Sequence, residues 1–208
     1  MIVHLLRHGQ TSMNRDGLGL GRRDVPLTDV GVRQSELAAE ALGRHPIEAV
    51  FASPLIRAMA AAELVAANAG VAARADEALV ELDVGETEGV SIPELRTRFP
   101  EFMERWRGPD VSSVTMPGGE SLDDLNGRLE PFLRGLHEST FAEVAIVSHN
   151  FVLRLLICRW LGLPVDAFRN FELDLASITT LATGPFVAVR RLNDTCHLRS
   201  LEPSVKQT

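Results

Sequence analysis

Alternation constrains this chain more than any other feature. Short apolar runs at Ile2–Leu6, Ala49–Ala52, Ala142–Ser148 and Ile178–Leu181, with a last one near Phe186–Leu192, are separated by stretches of helical periodicity. Thr28 stands as an N-cap before "DVGVRQSELAAEALG", "LIRAMAAAELVAANAG" and "NFVLRLLICRWLG" both end in glycine, and Ser121 caps "SLDDLNGRLEPFLRGLHE". Strands that alternate with helices return by crossovers, so the pattern predicts an α/β fold with a mostly parallel sheet covered on both faces. Residues 85–119 break the rhythm: polar and punctuated by Pro and Gly, they read as a lid segment inserted over a site.

The 208 residues suffice for one substantial core, and a single domain over 1–208 is expected. A formal net charge of −7 argues against an extended basic surface for nucleic acid, is compatible with a local positive pocket, and points to small partners. Cys158 and Cys196 form no CxxC spacing, and no apolar stretch reaches membrane-spanning length. With residue 2 already in a strand, no signal peptide is expected, so the cytoplasm is the expected location.

Chemistry collects at strand ends. His8 closes the first strand in "LLRHG" and His149 follows "AEVAIVS", so both histidines begin a βα turn and share the sheet edge where ligands bind in open α/β folds. A third strand end, "VFASPLIRA", adds Ser53 and Arg57. Arg7 and Arg57 are permanently charged planar forks suited to a cluster of anionic oxygens. Glu81, in "ALVELDVGETEG", follows an apolar pair, and a carboxyl sharing a site with two histidines is a natural proton donor or acceptor. Glu86 and Glu88 compete with it for that role. No HExxH-like spacing is present, and two guanidinium groups would repel a cation, so neither a metal nor any other cofactor is expected.

Taken in order, "LLRHGQTSMN", "DVPLTDVG", "SPLIRA", "ELDVGETEG", "PGGES" and "VSHN" resemble the histidine phosphatase superfamily, which includes the phosphoglycerate mutase-like enzymes. The resemblance runs from about residue 2 to residue 198. It implies a three-layer α/β/α sandwich, no metal, and a covalent phosphohistidine intermediate. His8 would be the nucleophile, Glu81 the proton donor, and Arg7, Arg57, His149 and Asn14 the phosphate pocket. Gly21 either closes that pocket with its backbone amide or merely turns the chain. The implied substrate is a small phosphate ester, and a homodimer is common among relatives.

Elementary chemistry agrees with that transfer. An imidazole attacks phosphorus only with one nitrogen unprotonated, which requires the other to be tied as a donor. The alkoxide leaving group needs a proton near neutral pH, so Glu81 must be protonated when substrate is bound.

Departures choose the branch. Phosphoglycerate mutases typically follow the catalytic glutamate with an arginine and soon after a tyrosine; here Leu82 follows Glu81 and the chain has no tyrosine. Hydrolysis is therefore favoured over mutase chemistry, with a non-catalytic phosphate-binding protein as a further alternative. The tail "LNDTCHL" resembles that of metal-independent phosphoserine phosphatases, so His197 either reads the substrate's non-phosphate end or is a surface residue; Arg22 and Arg23 are other candidates for that reading. Thr87 replaces a usual aromatic and is expected to loosen or reshape the pocket wall, while Asn150 stands where many relatives have glycine.

Overall fold

A computed structural model describes residues 1–201. In chain order the elements are β1 (Ile2–Arg7), α1 (Ser12–Arg15), α2 (Asp29–Leu42), β2 (Ala49–Ala52), α3 (Ile56–Ala69), β3 (Ala73–Ala75), α4 (Ile92–Arg98), α5 (Pro100–Arg107), α6 (Leu122–Glu138), β4 (Glu143–Ser148), α7 (Asn150–Leu161), β5 (Ile178–Ala182) and β6 (Ala188–Asp194). The six strands form one sheet in the order β3-β2-β4-β1-β5-β6. The pairings among β1, β2, β3 and β4 are parallel, whereas β5 runs antiparallel to both β1 and β6.

Successive side chains of a strand point to opposite faces, and the two cores follow that period. Val3 and Leu5 of β1 and Val144 and Ile146 of β4 pack with α6 and α7 through Leu125, Leu129, Leu153 and Leu156. Leu6, Ala145, Val147, Val50 and Ala52 pack instead with α2 and α3, where Ala38, Leu42, Ala58, Ala62 and Val65 allow close helix-on-sheet approach. Both faces are thus covered, giving the three-layer α/β/α sandwich. Among the described residues no helix is long and apolar enough to cross a membrane.

Three details depart from the sequence reading. Strand β3, the sequence "ARA", is short, exposed and without an apolar run, so it carries no sequence signal. The last strand begins at Ala188 rather than near Phe186, because Phe186 sits 90% exposed before it. Residues 85–119 hold more than loops: α4 and α5 enclose their own small cluster of Val90, Leu95 and Met103.

His4 is a core position with a satisfied ring. Its Nδ1 meets Thr180 Oγ1 at 3.0 Å and its Nε2 meets Glu143 Oε1 at 2.7 Å, while His45 Nδ1 meets the same oxygen at 2.9 Å. Among the described residues these three are the one group of three or more His, Cys, Asp or Glu side chains whose ligand atoms converge. They lie toward the start of β1 and β4, away from the strand ends that carry His8 and His149.

Candidate active site

The central strands β1 and β4 end in register, Arg7 beside Ser148, so the residues that follow them, His8 and His149, emerge together. The backbone fixes His8 from both sides: its N–H donates to the Ser148 carbonyl (3.0 Å) and its own carbonyl accepts from Ala176 N–H (3.1 Å). Gly9 allows the chain to turn here against the start of α2. A Cβ on Gly9 would lie 2.3 Å from the Gly31 carbonyl oxygen.

His8 Nδ1 lies 2.7 Å from the Gly9 carbonyl. A carbonyl only accepts, so Nδ1 must carry the proton and Nε2 holds the free lone pair. Burial, reinforced by Arg57 and Arg7, pushes the His8 pKa well below its ordinary value near 6.5. The ring is neutral.

Both arginines are held by carbonyls rather than carboxylates. Arg57, fully buried at the start of α3, donates Nη1 to Arg23 O (2.8 Å) and Nη2 to Gly21 O (2.6 Å). Arg7 donates Nη1 to Leu173 O (2.5 Å). Each has a buried Nε without a protein partner. Burial lowers both pKa values, that of Arg7 to about 10, so both remain cations at neutral pH with charge left for a ligand.

His149 Nε2 pairs with Ser53 Oγ at 2.8 Å, and its buried Nδ1 has no protein partner. Ser53 Oγ also accepts from Leu55 N–H (3.3 Å), and its own hydrogen can be given to His149 Nε2, which leaves the imidazole proton on Nδ1. Burial, then Arg57 and His8, lowers the His149 pKa well below its ordinary value. Glu81 is buried too, its two carboxylate oxygens taking N–H bonds from Leu82 (2.9 Å) and Phe151 (3.2 Å). Burial outweighs those bonds and the nearby arginines, so its pKa is raised.

The other residues named from sequence lie as follows. Asn14 accepts with Oδ1 from Thr11 N–H (3.1 Å) and Oγ1 (2.8 Å) in a capping box at α1, which orients its NH2 as the remaining donor. Gly21 N–H is already committed to Glu88 Oε1 (2.8 Å), so it cannot close a phosphate pocket, and its carbonyl serves Arg57 instead. Arg22 is drawn to Glu120 (2.6 Å) and Asp83 (3.6 Å), acids that neutralise the charge a substrate would need. His197 bonds through Nε2 to Ala176 O (3.0 Å), whose N–H supports the His8 carbonyl; the tail returns to the back of the nucleophile's turn. Thr87 does not loosen the wall: it is buried and its hydroxyl donates to Val84 O (2.7 Å). Nothing in the structure explains Asn150.

Sequence reasoning missed the positioning roles of Glu88, Arg128 and Glu120, weighing Glu88 only as a competitor of Glu81. Glu88 Oε1 accepts from the backbone N–H groups of both Gly21 and Arg23, fixing the loop whose carbonyls seat Arg57. Arg128 donates to Ala78 O (2.7 Å), Val80 O (2.9 Å) and Glu81 O (3.3 Å), and Glu120 Oε2 accepts from Asp83 N–H (3.0 Å), so the Glu81 segment is clamped from α6. Glu88 and Glu120 both sit inside the quoted motifs, "GETEG" and "PGGES", which is the signal that was available.

The site is therefore a buried cationic crevice holding a neutral imidazole with a free Nε2 and a carboxyl biased toward its acid form. The family model of the histidine phosphatase superfamily (branch 1) matches residues 3–195. The chain is 29% identical to phosphoserine phosphatase 1 of Hydrogenobacter thermophilus, over 93% of this chain and 92% of that one. It is 32% identical to a protein of Yersinia pestis named a probable phosphoglycerate mutase, over 94% of each. Among solved structures, the α-ribazole phosphatase of Shigella flexneri superposes with a TM-score of 0.84 at 30% identity, covering 93% of this chain and 96% of that one.

Proposed function

The chain belongs to the histidine phosphatase superfamily, and from that premise we propose that it is a metal-independent phosphomonoesterase acting on small phosphorylated metabolites through phospho-His8. One observation carries the reading: His8 Nδ1 is held by the Gly9 carbonyl, leaving Nε2 free beside the fully buried Arg57 and the half-buried Arg7, neither of which has a carboxylate hydrogen-bond partner.

In the first step His8 Nε2 attacks phosphorus while the ester P–O bond breaks. Arg7, Arg57, the His149 Nδ1–H and the Asn14 amide meet the charge spread over the equatorial oxygens, which is the contribution a metal makes elsewhere. Glu81, as the acid, gives its proton to the departing alkoxide oxygen. In the second step the Glu81 carboxylate takes a proton from water, the oxygen attacks phosphorus, and the N–P bond breaks. Phosphate leaves and His8 returns with Nδ1 still bonded to Gly9.

Phosphoserine is the favoured substrate, in keeping with the Hydrogenobacter relative's name. Mutase chemistry is the second reading, favoured by the name of the Yersinia relative. Leu82 and the absence of tyrosine speak for hydrolysis. The test is phosphate release, with chelator present, from phosphoserine, phosphothreonine, 3-phosphoglycerate and an aryl phosphate, with mutase activity assayed in parallel. Release that disappears in His8→Ala supports the hydrolase; isomerisation of phosphoglycerate without release replaces it with the mutase.

A further inference from the structure

Helix α7 carries two side chains one turn apart that the proposed chemistry does not use, Phe151 and Arg154. The Phe151 N–H donates to Glu81 Oε2, so the start of this helix lies against the carboxyl assigned as proton donor. Arg154 sits on the next turn of the same face. Unlike Arg7 and Arg57, it makes no hydrogen bond and no ion pair with any described residue, and its Nε is buried without a partner. Burial accordingly lowers its pKa, with Glu81 and Glu172 acting on it only through their fields. Its Nε is the donor cut off from solvent, while its Nη groups stay open to the cavity, so an arriving anion finds donors that no described residue occupies.

The surroundings are shaped for a ligand. A cavity of about 360 Å³ opens beside Arg154, walled by Trp106, Phe151 and Phe168, with Arg107 and Arg169 also lining it. The three rings form a triangle with centroids 6.1, 6.2 and 5.9 Å apart. Arg169 is spent on the backbone, donating to Gly108 O (3.0 Å) and to the Trp106 carbonyl, so it pins the end of α5 to the turn at Val165–Asn170. The Arg154 guanidinium lies 6.0 Å over the Phe168 ring, an arrangement that orients the fork and consumes none of its N–H donors.

We propose that Arg154 binds a carboxylate on the leaving group, so that this cavity selects phosphate esters of hydroxy acids and hydroxy amino acids. The inference rests on the phosphomonoesterase reading and adds the class of alcohol. A carboxylate fits better than a second phosphate, because one idle guanidinium between aromatic walls matches a single planar anion. The site assigned to the phosphate group brings two arginines and a histidine to its charge.

The test pairs substrates that differ by the carboxylate alone: phosphoserine with phosphoethanolamine, and 3-phosphoglycerate with glycerol phosphate, with an aryl phosphate as reference. The wild type is expected to favour the carboxylated member of each pair. Arg154→Gln should lower kcat/KM for that member about 30-fold, mainly through KM, and change the partner and the aryl ester less than about threefold. Arg154→Lys, which keeps the charge but loses the fork, should fall between them. Equal losses on both members, or no preference in the wild type, overturn the proposal while aryl phosphate hydrolysis leaves the phosphatase reading standing. Calorimetric binding of phosphoserine and phosphoethanolamine to His8→Ala, with and without Arg154→Gln, makes the comparison without turnover. A carboxylate preference there that Arg154→Gln removes supports the inference even if no ester is hydrolysed, an outcome that would sink only the phosphatase reading; equal affinities overturn the inference.

Discussion

His8 and His149 stand ring against ring, centroids 5.1 Å apart and planes tilted by 60°, and both are neutral. Two imidazolium ions could not share this space with Arg7 and Arg57, so the arginines carry the positive charge and the histidines are left for lone-pair and N–H chemistry. That division of labour is what the proposed mechanism requires of a crevice that must hold a nucleophile and an anion together.

The pH dependence of turnover follows from it. In the proposed mechanism His8 must be unprotonated, and its pKa is lowered, so activity is lost only as pH falls well below 6.5. In the same mechanism Glu81 must be protonated, and its pKa is raised, so activity falls as pH rises through that value. The kcat/KM profile for phosphoserine should therefore be bell-shaped. Glu81→Gln should remove the alkaline limb and slow phosphoserine at least about 100-fold, while an aryl phosphate, whose leaving group needs no proton, slows less than about tenfold. Matching losses on the two substrates would count against the acid role.

Stability should depend on pH through the same groups. His4, His8 and His149 all have pKa values below the ordinary 6.5, so below that pH the unfolded chain binds protons that the folded chain refuses. Their stabilisation is present above about pH 6.5 and is lost as pH falls toward their folded values, at up to about 1.4 kcal/mol per pH unit for each. Glu81 works in the opposite direction, because its raised pKa makes the folded chain bind a proton first. Three groups outweigh one, so Tm in a phosphate-free buffer should drop between pH 7 and pH 5.5; a flat or rising Tm would refute the assignment of neutral histidines.

Glu88 should matter to catalysis without touching substrate. Its carboxylate holds the N–H groups of Gly21 and Arg23, whose carbonyls hold Arg57. Glu88→Ala frees that loop and should cost roughly 10- to 100-fold in kcat/KM, because a misplaced guanidinium no longer meets the transition-state oxygens. Glu88→Gln keeps an acceptor oxygen in place and should recover most of the rate. If both variants lose activity equally, charge rather than loop position is what Glu88 supplies.

Much of this was legible in sequence. The alternation of Val3, Leu5 and Leu6 with the matching positions of β4 announces a strand covered on both faces, and the ordered motifs name His8, Arg7, Arg57, His149 and Glu81. What could not be read depended on partners far along the chain. Gly21, Arg22 and His197 looked available for a ligand, but they are bonded to Glu88, Glu120 and Ala176, which lie 67, 98 and 21 residues away. The antiparallel direction of β5 is hidden for the same reason, since a run such as Ile178–Ala182 has no direction until its neighbour is known. Arg154 escaped notice because a lone arginine in an apolar helix looks like a solvated end; only the geometry leaves it unpaired.

Ser53 provides the last expectation. It lies just past β2, and its Oγ accepts from Leu55 N–H and bonds His149 Nε2, so a hydroxyl that gives its own hydrogen to Nε2 places the imidazole proton on Nδ1. In that tautomer the partnerless Nδ1 can donate to a phosphate oxygen; without Ser53, Nε2 loses its hydrogen-bond partner and both tautomers become accessible. Ser53→Ala should lower kcat about tenfold and weaken inhibition by a tetrahedral oxyanion such as vanadate in step, because both depend on the same N–H. Ser53→Thr, which keeps the hydroxyl, should restore vanadate inhibition if the added methyl is accommodated. NMR of the imidazole nitrogens gives the decisive readout: a protonated Nδ1 in the wild type and a mixture of tautomers in Ser53→Ala support the relay, whereas an unchanged tautomer in the variant would show that His149 is set by something other than Ser53.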